Sequence, residues 1–389
     1  MKKIGLLSYH FWYNYGTCLQ AYALQYVLKK MGYQSEYIDF GWKYPIASET
    51  LIENFWTYTN TDTNLFRTLK TNLYKYAGAI INRNLYSTLF RDFIYKTNNK
   101  LFDKFHNQFI IESPHVKDLN NIEKKYALFI VGSDQVWNPS CCEKKYFTHF
   151  LLDFVKEKKK KISYAPSVGM KDIDAKAKEL FKLYLPQFQS LSCREEFGCS
   201  LLRKITELEI TRVIDPTLLM TREEWLSIAE NKKVHPYVLC YILGDKTKIV
   251  EKSLQIAKKY SLDLKIISMS QMIIEKYKKY IISNVGPREF LFLLNKSSCI
   301  LTDSFHGTAF AINFNIPFYS FLKKHGDSSV SDNSRIIDLL DLFHLSCRFK
   351  DSINFSDNFS CDFKETNKIL SCEREKSFNF LKHNIDQIL

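Results

Sequence analysis

Apolar and polar positions along the chain fall into short blocks that alternate between two periods. Ile4-Gly5-Leu6-Leu7 is an apolar run with polar flanks and predicts a strand. After a polar-aromatic loop, Leu19, Tyr22, Ala23 and Tyr26 recur at helical spacing, Lys29-Lys30 close the last turn and Gly32 lies just past it, which predicts a helix. Tyr37-Ile38 opens the next strand, so the chain begins with a βαβ unit and a parallel, doubly wound sheet. The series continues in Phe129-Ile130-Val131, Ile162 to Ala165, Leu191-Ser192-Cys193 and Thr211 to Ile214, each followed by polar or Gly/Pro punctuation. Between about residues 45 and 115 the alternation stops. Leu65, Phe66, Leu69 and Leu73 mix with Arg67, Lys70, Lys75, Arg83 and Arg91, the pattern of a helical, basic insertion. Two readings stay open for it: helices packed on the sheet with a solvated basic face, or a surface for an acceptor or an anionic membrane.

A charged stretch, Arg222-Glu223-Glu224-Trp225 to Val234-His235-Pro236, marks the expected boundary. A second α/β series follows: strands at Tyr237–Ile242, Leu264–Ile267, Cys299–Leu301 and Pro317–Phe321, and helices at Thr247–Lys259, Pro287–Asn295 and Thr308–Phe314. A last helical stretch, Phe363–Ile385, is expected to return to the first half. The chain thus reads as an α/β protein of two Rossmann-like domains facing a cleft, over 1–230 (with the insertion) and 231–350, with a tail over 351–389.

Composition narrows the class. The chain has 389 residues, 46% hydrophobic and 15% aromatic, with few Gly and Pro, which excludes a disordered or linker-rich protein. A net charge of +13 points to a polyanion, an anionic membrane or a phosphorylated substrate without choosing among them. The N-terminus turns polar too soon for a signal peptide, so the ten cysteines are expected reduced. Without any Cys-x-x-Cys, and with only the vicinal Cys141-Cys142 pair, no metal site is expected. No apolar run reaches the length of a membrane span. The expectation is a cytoplasmic protein able to touch the inner face of a membrane.

Ligands of open α/β sheets bind beyond the carboxyl ends of strands, where helix N-termini attract anions. That rule selects Asn14-Tyr15-Gly16-Thr17, Gly132-Ser133-Asp134-Gln135, Pro166-Ser167-Val168-Gly169, Arg194-Glu195, Asp215-Pro216-Thr217, Gly244-Asp245 and Thr302-Asp303-Ser304-Phe305-His306-Gly307-Thr308. His306 is either a general acid or base, with Asp303 before it and a glycine after it for close approach of a ligand, or a packed residue in a capped turn. Arg194 either holds a carboxylate or phosphate in a bidentate pair or forms a salt bridge with Glu195 or Glu196. Asn14-Tyr15-Gly16 suits a sugar or phosphate contact, or ordinary cap chemistry. The absence of G-x-G-x-x-G, Walker and G-x-S-x-G motifs removes the main support for dinucleotide, P-loop and α/β-hydrolase readings.

Taken together and in order, Asn14 to Leu24, Val131 to Asn138, Tyr164 to Gly169, Arg194-Glu195, Asp215-Pro216-Thr217 and Thr302 to Thr308 resemble the polysaccharide pyruvyl transferase family. The resemblance runs from about residue 3 to about residue 348, including Ser334-Arg335-Ile336, and leaves the insertion and the tail uncovered. It implies a fold similar to the two-domain GT-B glycosyltransferases. The implied reaction moves the pyruvyl group of phosphoenolpyruvate, a co-substrate with no further cofactor, onto two sugar hydroxyls of a capsular or exopolysaccharide precursor. By family analogy the product is a galactose 4,6-ketal and the acceptor is free or polyprenyl-diphosphate-linked. His306 matches the family's catalytic histidine, and Asp303 beside it is assigned to the catalytic pair. The donor side falls on Arg194, Ser304, Phe305, Gly307, Thr308, Arg335, Arg288 and Gly244, and the acceptor side on Asn14, Tyr15, Gly16, Ser133, Asp134, Gln135 and Ser167. One departure matters: the family often carries Arg-Leu before this histidine, where this chain has Ser304-Phe305, which makes Arg335, Arg288 or Lys323 the replacement cation.

The residue types suit that chemistry independently. A donor with a carboxylate and a phosphate needs cations and helix N-termini, and ketal formation needs a proton delivered to a methylene carbon and protons removed from hydroxyls, which histidine does near neutral pH. The rival enzyme is a nucleotide-sugar glycosyltransferase on the same scaffold, since a fold does not fix a reaction. A nucleic-acid binder rests on net charge alone, with no binding module behind it, so nucleic acid is not an expected partner.

Overall fold

The structure is a computed structural model; it describes residues 3–11, 13–41, 85–142, 144–170, 172–322, 330–350, 352 and 360–389. Strand β1 (Lys3–Leu7) lies between β2 (Gln34–Tyr37) and β3 (Leu128–Val131), and β4 (Lys161–Ser163) follows β3, all parallel. A bridge between Ile162 and Ser190 leads on to β5 (Ser192–Cys193) and its parallel partner β6 (Thr211–Arg212). Leu128 to Val131 are all buried, the continuous apolar run of a parallel strand covered on both faces. The strand expected to continue through Ile214 stops at Arg212, and the Ile214 amide donates to Ser377 Oγ at 3.0 Å instead of to a neighbouring strand.

Residues 231–236 carry no regular structure and lead into the second sheet. Its parallel order is β11 (Phe349–Lys350), β10 (Phe318–Phe321), β9 (Cys299–Thr302), β7 (Tyr237–Tyr241) and β8 (Asp263–Ile267). The helix after β9 begins at Phe305, three residues before the expected Thr308, because Ser304 caps it by accepting from the Gly307 amide. This helix is buried over all ten of its residues, and Tyr15–Lys30 over most of its length. Each lies between its own sheet and the opposite half, so an apolar surface nearly all round is what its position demands.

One apolar core joins the halves. Ile4, Leu19 and Trp225 belong to the same buried cluster as Tyr241, Phe290 and Phe310, and separate clusters cover the outer face of each sheet. Tyr15 stacks on Phe290 with ring centroids 4.3 Å apart, and its hydroxyl donates to Val285 O at 2.9 Å. The expected cleft is therefore closed by packing over much of its length.

Of the insertion, residues 42–84 lie outside the described residues, among them Leu65, Phe66, Arg67, Leu69, Lys70, Leu73, Lys75 and Arg83. Its described remainder is one helix, Leu85–Phe109, which carries Arg91. Phe102 and Phe105 enter the joint core, and Asn98 Oδ1 accepts from Val285 N at 2.9 Å, so this face turns inward. No helix among the described residues is long and apolar enough to cross a membrane. The ten cysteines, all among the described residues, form no disulfide.

The helix Lys364–Asp386 runs back to the first half. Leu370, Leu381 and Ile385 join the shared core. Arg374 donates from Nε to Leu218 O (2.7 Å) and from Nη2 to Met220 O (3.2 Å) and Asn313 Oδ1 (2.7 Å), tying first-half carbonyls to a second-half helix. Replacing Arg374 by Met removes the side-chain donor to Leu218 O and Asn313 Oδ1, while Met220 O keeps its bond from Asn313 Nδ2. We expect a loss on the order of 2 kcal/mol, read as a lower thermal unfolding midpoint, while Lys376→Met on the exposed face leaves the midpoint unchanged.

Candidate active site

The site is assembled where the two buried helices meet. Asp215 follows β6 and caps the short helix Pro216–Leu219, its Oδ1 accepting from the Thr217 amide (2.9 Å) and hydroxyl (2.7 Å). Its Oδ2 accepts from Arg194 Nη1 at 2.7 Å and from Ser133 Oγ at 3.1 Å, and lies 3.8 Å from His306 Nε2. Arg194 comes from the end of β5, Ser133 from the end of β3, and His306 from the second half. Burial by itself raises the Asp215 carboxyl, but the His306 ring and the Arg194 charge outweigh it and hold the group well below the usual carboxylate range. For Arg194, burial pulls downward, and Asp215, Glu195 and Asp134 more than restore it, so the guanidinium is charged.

Three buried nitrogens here lack a hydrogen-bond partner: Arg194 Nε, Arg194 Nη2 and His306 Nε2. Glu195 Oε2 stands 3.7 Å from Arg194 Nε, too far for a hydrogen bond, while its Oε1 accepts from Ser167 Oγ and from the amides of Val168 and Gly169. The Phe305 ring lies 4.1 Å from the Arg194 guanidinium carbon and fixes its plane. A cavity of about 340 Å³, within the size range of small-ligand sites, opens onto Arg194, Asp215 and Phe305, with Arg212, Arg335 and Asp338 around it. A charged guanidinium with spare donors, a histidine and a fixed carboxylate can together hold an anion and move a proton.

Gly16 sits against the other side of the His306 ring. A Cβ built there would lie 1.9 Å from His306 Nδ1, so only glycine lets the first helix come this close. His306 is thus pinned between halves, with its Nε2 edge toward Asp215 and its Nδ1 edge against the Gly16 backbone.

Of the cations considered as replacements for the family arginine, Arg335 reaches the cavity. Arg288 does not, because its Nε donates to Ile228 O at 2.7 Å and its Nη1 pairs with Glu230 at 3.3 Å beside the connection between halves. Lys323 lies outside the described residues. Several other expected ligand contacts turn out to hold the scaffold. Asp303, placed beside His306 in the sequence reading, accepts from Leu243 N (2.7 Å) and Gly244 N (2.9 Å) with its two oxygens and so fixes that turn, Gly244 included. Thr308 Oγ1 bonds Ser304 O and Ser320 Oγ in the interior. Gly307 meets Thr302 and Tyr241 where a Cβ would stand, so it serves helix packing and not close approach of a ligand. Ser304 acts as the cap already described.

On the acceptor side the outcome is similar. Asn14 caps the first helix by accepting from Thr17 N at 3.1 Å, and Tyr15 is consumed by the core between halves. Asp134 accepts from Thr17 Oγ1 at 2.7 Å, Gln135 Oε1 accepts from Asn138 Nδ2 at 2.9 Å, Ser133 supports Asp215, and Ser167 supports Glu195. Asp215, selected with its motif but given no role there, proves to be the centre of the cluster. Its signal was present in the motif Asp215-Pro216-Thr217, an acid directly after a strand and before a Pro-initiated turn, but the cap role alone explains that pattern.

The model of the polysaccharide pyruvyl transferase family matches residues 14–323. No curated protein matches the chain closely enough to count as a relative. Among solved structures, the chain is similar to the UDP-GlcNAc 2-epimerase of Methanocaldococcus jannaschii (16% identity over 96% of this chain and 99% of that one, TM-score 0.42). It is also similar to the wall teichoic acid polymerase TagF (12%, 97% and 89%, TM-score 0.43) and to an α-glucosyltransferase in complex with UDP and DNA (11%, 98% and 95%, TM-score 0.45). These likenesses concern fold alone, and the two-domain α/β class stands on the chain's own two parallel sheets.

The low-lying carboxyl of Asp215 has a pH signature. Its folded-state value is depressed, so its contribution is fully present above the unfolded value near 4 and declines as pH falls toward the folded value. Asp215→Asn also leaves Arg194 as an uncompensated buried charge, a loss on the order of 3 kcal/mol. In urea unfolding we expect the gap between wild type and variant to persist from pH 7 to pH 5 and to shrink only below about pH 4.

Proposed function

The chain belongs to the polysaccharide pyruvyl transferase family, and from that premise we propose that it moves the pyruvyl group of phosphoenolpyruvate onto two hydroxyls of one sugar in a polysaccharide precursor, forming a cyclic ketal and releasing phosphate. The observation that carries this reading is the buried Arg194 guanidinium, charged and with Nε and Nη2 unpaired, on a cavity that also reaches Arg335. The lining carries three arginines, Arg194, Arg212 and Arg335, beside the carboxylates of Glu195, Glu196, Asp215, Asp338 and Asp341, and a compact dianion with a carboxylate at one end and a phosphate at the other would pair with the arginines.

His306 supplies the proton steps. The imidazolium delivers its Nε2 proton to the methylene carbon of the donor while the first sugar hydroxyl adds to C2, and the neutral ring then takes the proton of that hydroxyl. The C2–O bond to phosphate breaks next, and the second hydroxyl closes the ketal, its proton leaving with the phosphate. One hydroxyl proton thus balances the new methyl group and the other the released phosphate. Asp215, 3.8 Å from His306 Nε2, holds that edge of the ring in place across the interface. No covalent enzyme intermediate enters this sequence.

The acceptor is a saccharide, and a galactose that takes a 4,6-ketal, free or polyprenyl-diphosphate-linked, is the form we propose. In the lipid-linked case the basic insertion meets the inner membrane surface, where each Lys or Arg contributes on the order of 1 kcal/mol. Incubation of the protein with phosphoenolpyruvate and a panel of free and lipid-linked glycosides should give a product heavier by one pyruvyl group, together with free phosphate. Phosphoenolpyruvate should raise the unfolding temperature and nucleotide sugars should not; the reverse result would make the protein a glycosyltransferase.

Two substitutions test the roles assigned. His306→Ala should lower kcat by roughly a hundredfold to ten-thousandfold with the donor's thermal protection retained, and near wild-type turnover would remove His306 from the chemistry. Arg194→Lys should raise the KM for phosphoenolpyruvate with little change for the acceptor, because an ammonium does not reproduce a bidentate guanidinium contact. An unchanged donor KM would confine Arg194 to its ion pair with Asp215.

A further inference from the structure

A second group of ligating side chains gathers just past β1, upstream of the first helix that carries Gly16. His10 lies just past β1, His106 in the last turn of the helix Leu85–Phe109, and Glu112 three residues beyond that helix. The Glu112 backbone is held by a bridge to Tyr37 at the end of β2. The ligating atoms of the three side chains all lie within 4.8 Å of one another. Glu112 Oε1 stands 2.8 Å from His10 Nε2, and Oε2 stands 3.7 Å from His106 Nε2. The two imidazoles are nearly parallel, at 21° with centroids 6.1 Å apart, and His10 is further sandwiched by Tyr37 at 4.6 Å.

The hydrogen bonds fix what each nitrogen can do. His10 Nδ1 is 2.9 Å from Ser8 O, and a carbonyl only accepts, so Nδ1 carries a proton and a neutral His10 points the Nε2 lone pair at a carboxylate. Something positive must stand between them. A proton on Nε2 satisfies that pair, but it leaves His106 Nε2, buried and without a hydrogen-bond partner, unexplained. A cation satisfies all three groups together. The Nδ1-to-carbonyl bond of His10 is also the outer contact that orients metal-bound imidazoles.

We propose that His10, His106 and Glu112 bind one divalent transition-metal ion of the Zn²⁺ class, with a fourth position open to water. Two imidazoles and one carboxylate are the donor set for such an ion, whose ligand atoms stand about 3.3 Å apart in a tetrahedral site. The two distances involve different oxygens of Glu112, so a single ligating oxygen reaches that spacing to both imidazoles after a small turn of the carboxylate, which the partly exposed Glu112 and His106 side chains permit. The ion would clamp the insertion helix to the loop leading through Asn14 to Gly16, and so to the backbone against which His306 rests. The site is independent of the reaction assigned to the cavity.

Chelator-stripped full-length protein, titrated with Co²⁺ and then Zn²⁺, tests this. One equivalent of Co²⁺ should give the visible absorption of a tetrahedral N/O site, Zn²⁺ should displace it, and Zn²⁺ should raise the unfolding temperature. His106→Ala and Glu112→Ala, whose side chains are partly exposed and so compatible with folding, should each weaken the affinity at least tenfold and abolish the thermal shift. The same affinity in both variants, a thiolate charge-transfer band that places the ion on cysteines, or no binding at millimolar Co²⁺ would each overturn the proposal.

Discussion

A single buried carboxylate organises the centre of this molecule. Asp215 has no contact with solvent, and a charge in that position survives only because Arg194 meets it at 2.7 Å, Thr217 and Ser133 satisfy its remaining lone pairs, and His306 stands beside it. These partners come from the ends of different strands and from both halves of the chain. The electrostatic requirement of one residue therefore fixes the relative placement of β3, β5 and the helix Phe305–Phe314. The shared apolar core does the rest, because Tyr15, Phe290 and Phe310 pack the halves tightly enough that His306 reaches across to Asp215 and Gly16.

The arrangement also accounts for the departure at Ser304-Phe305. Where the family often carries Arg-Leu, this chain places a cap and an aromatic ring, and the ring lies on Arg194. A stacked, ion-paired arginine is held in one orientation, with the two nitrogens that face away from Asp215 left free. Arg335, on a helix from the second half, supplies a further cation to the same cavity.

Much of the fold was legible along the chain. The apolar runs of β1, β3, β7 and β9 and the helical spacing of Thr247–Lys259 follow from side-chain periodicity, which local sequence carries in full. The order of motifs from Asn14 to Thr308 likewise fixed the family, since spacing between strand ends is a property of the sequence. The same information singles out His306 and Arg194 as candidates, and the structure brings both beside Asp215. What local sequence did not carry was the division of labour among the polar residues at those strand ends. Ser133, Ser167, Asp303 and Thr308 are of the types that bind ligands, yet each is turned to a buried donor or acceptor of the scaffold.

That division is a tertiary matter because a buried polar group must be satisfied by whatever lies next to it, and the neighbour is set by packing between segments remote in sequence. Asp215 and His306 are separated by β7, β8 and β9, and Gly16 precedes both by far more; His10, His106 and Glu112 likewise meet only when β1, the insertion helix and β2 dock. The sequence by itself determined the elements, their order and the family, through periodicity and motif spacing. Only the tertiary structure decided which nitrogens and oxygens remain unpaired, because that depends on how buried charges and hydroxyls from both halves are shared out when the apolar core closes.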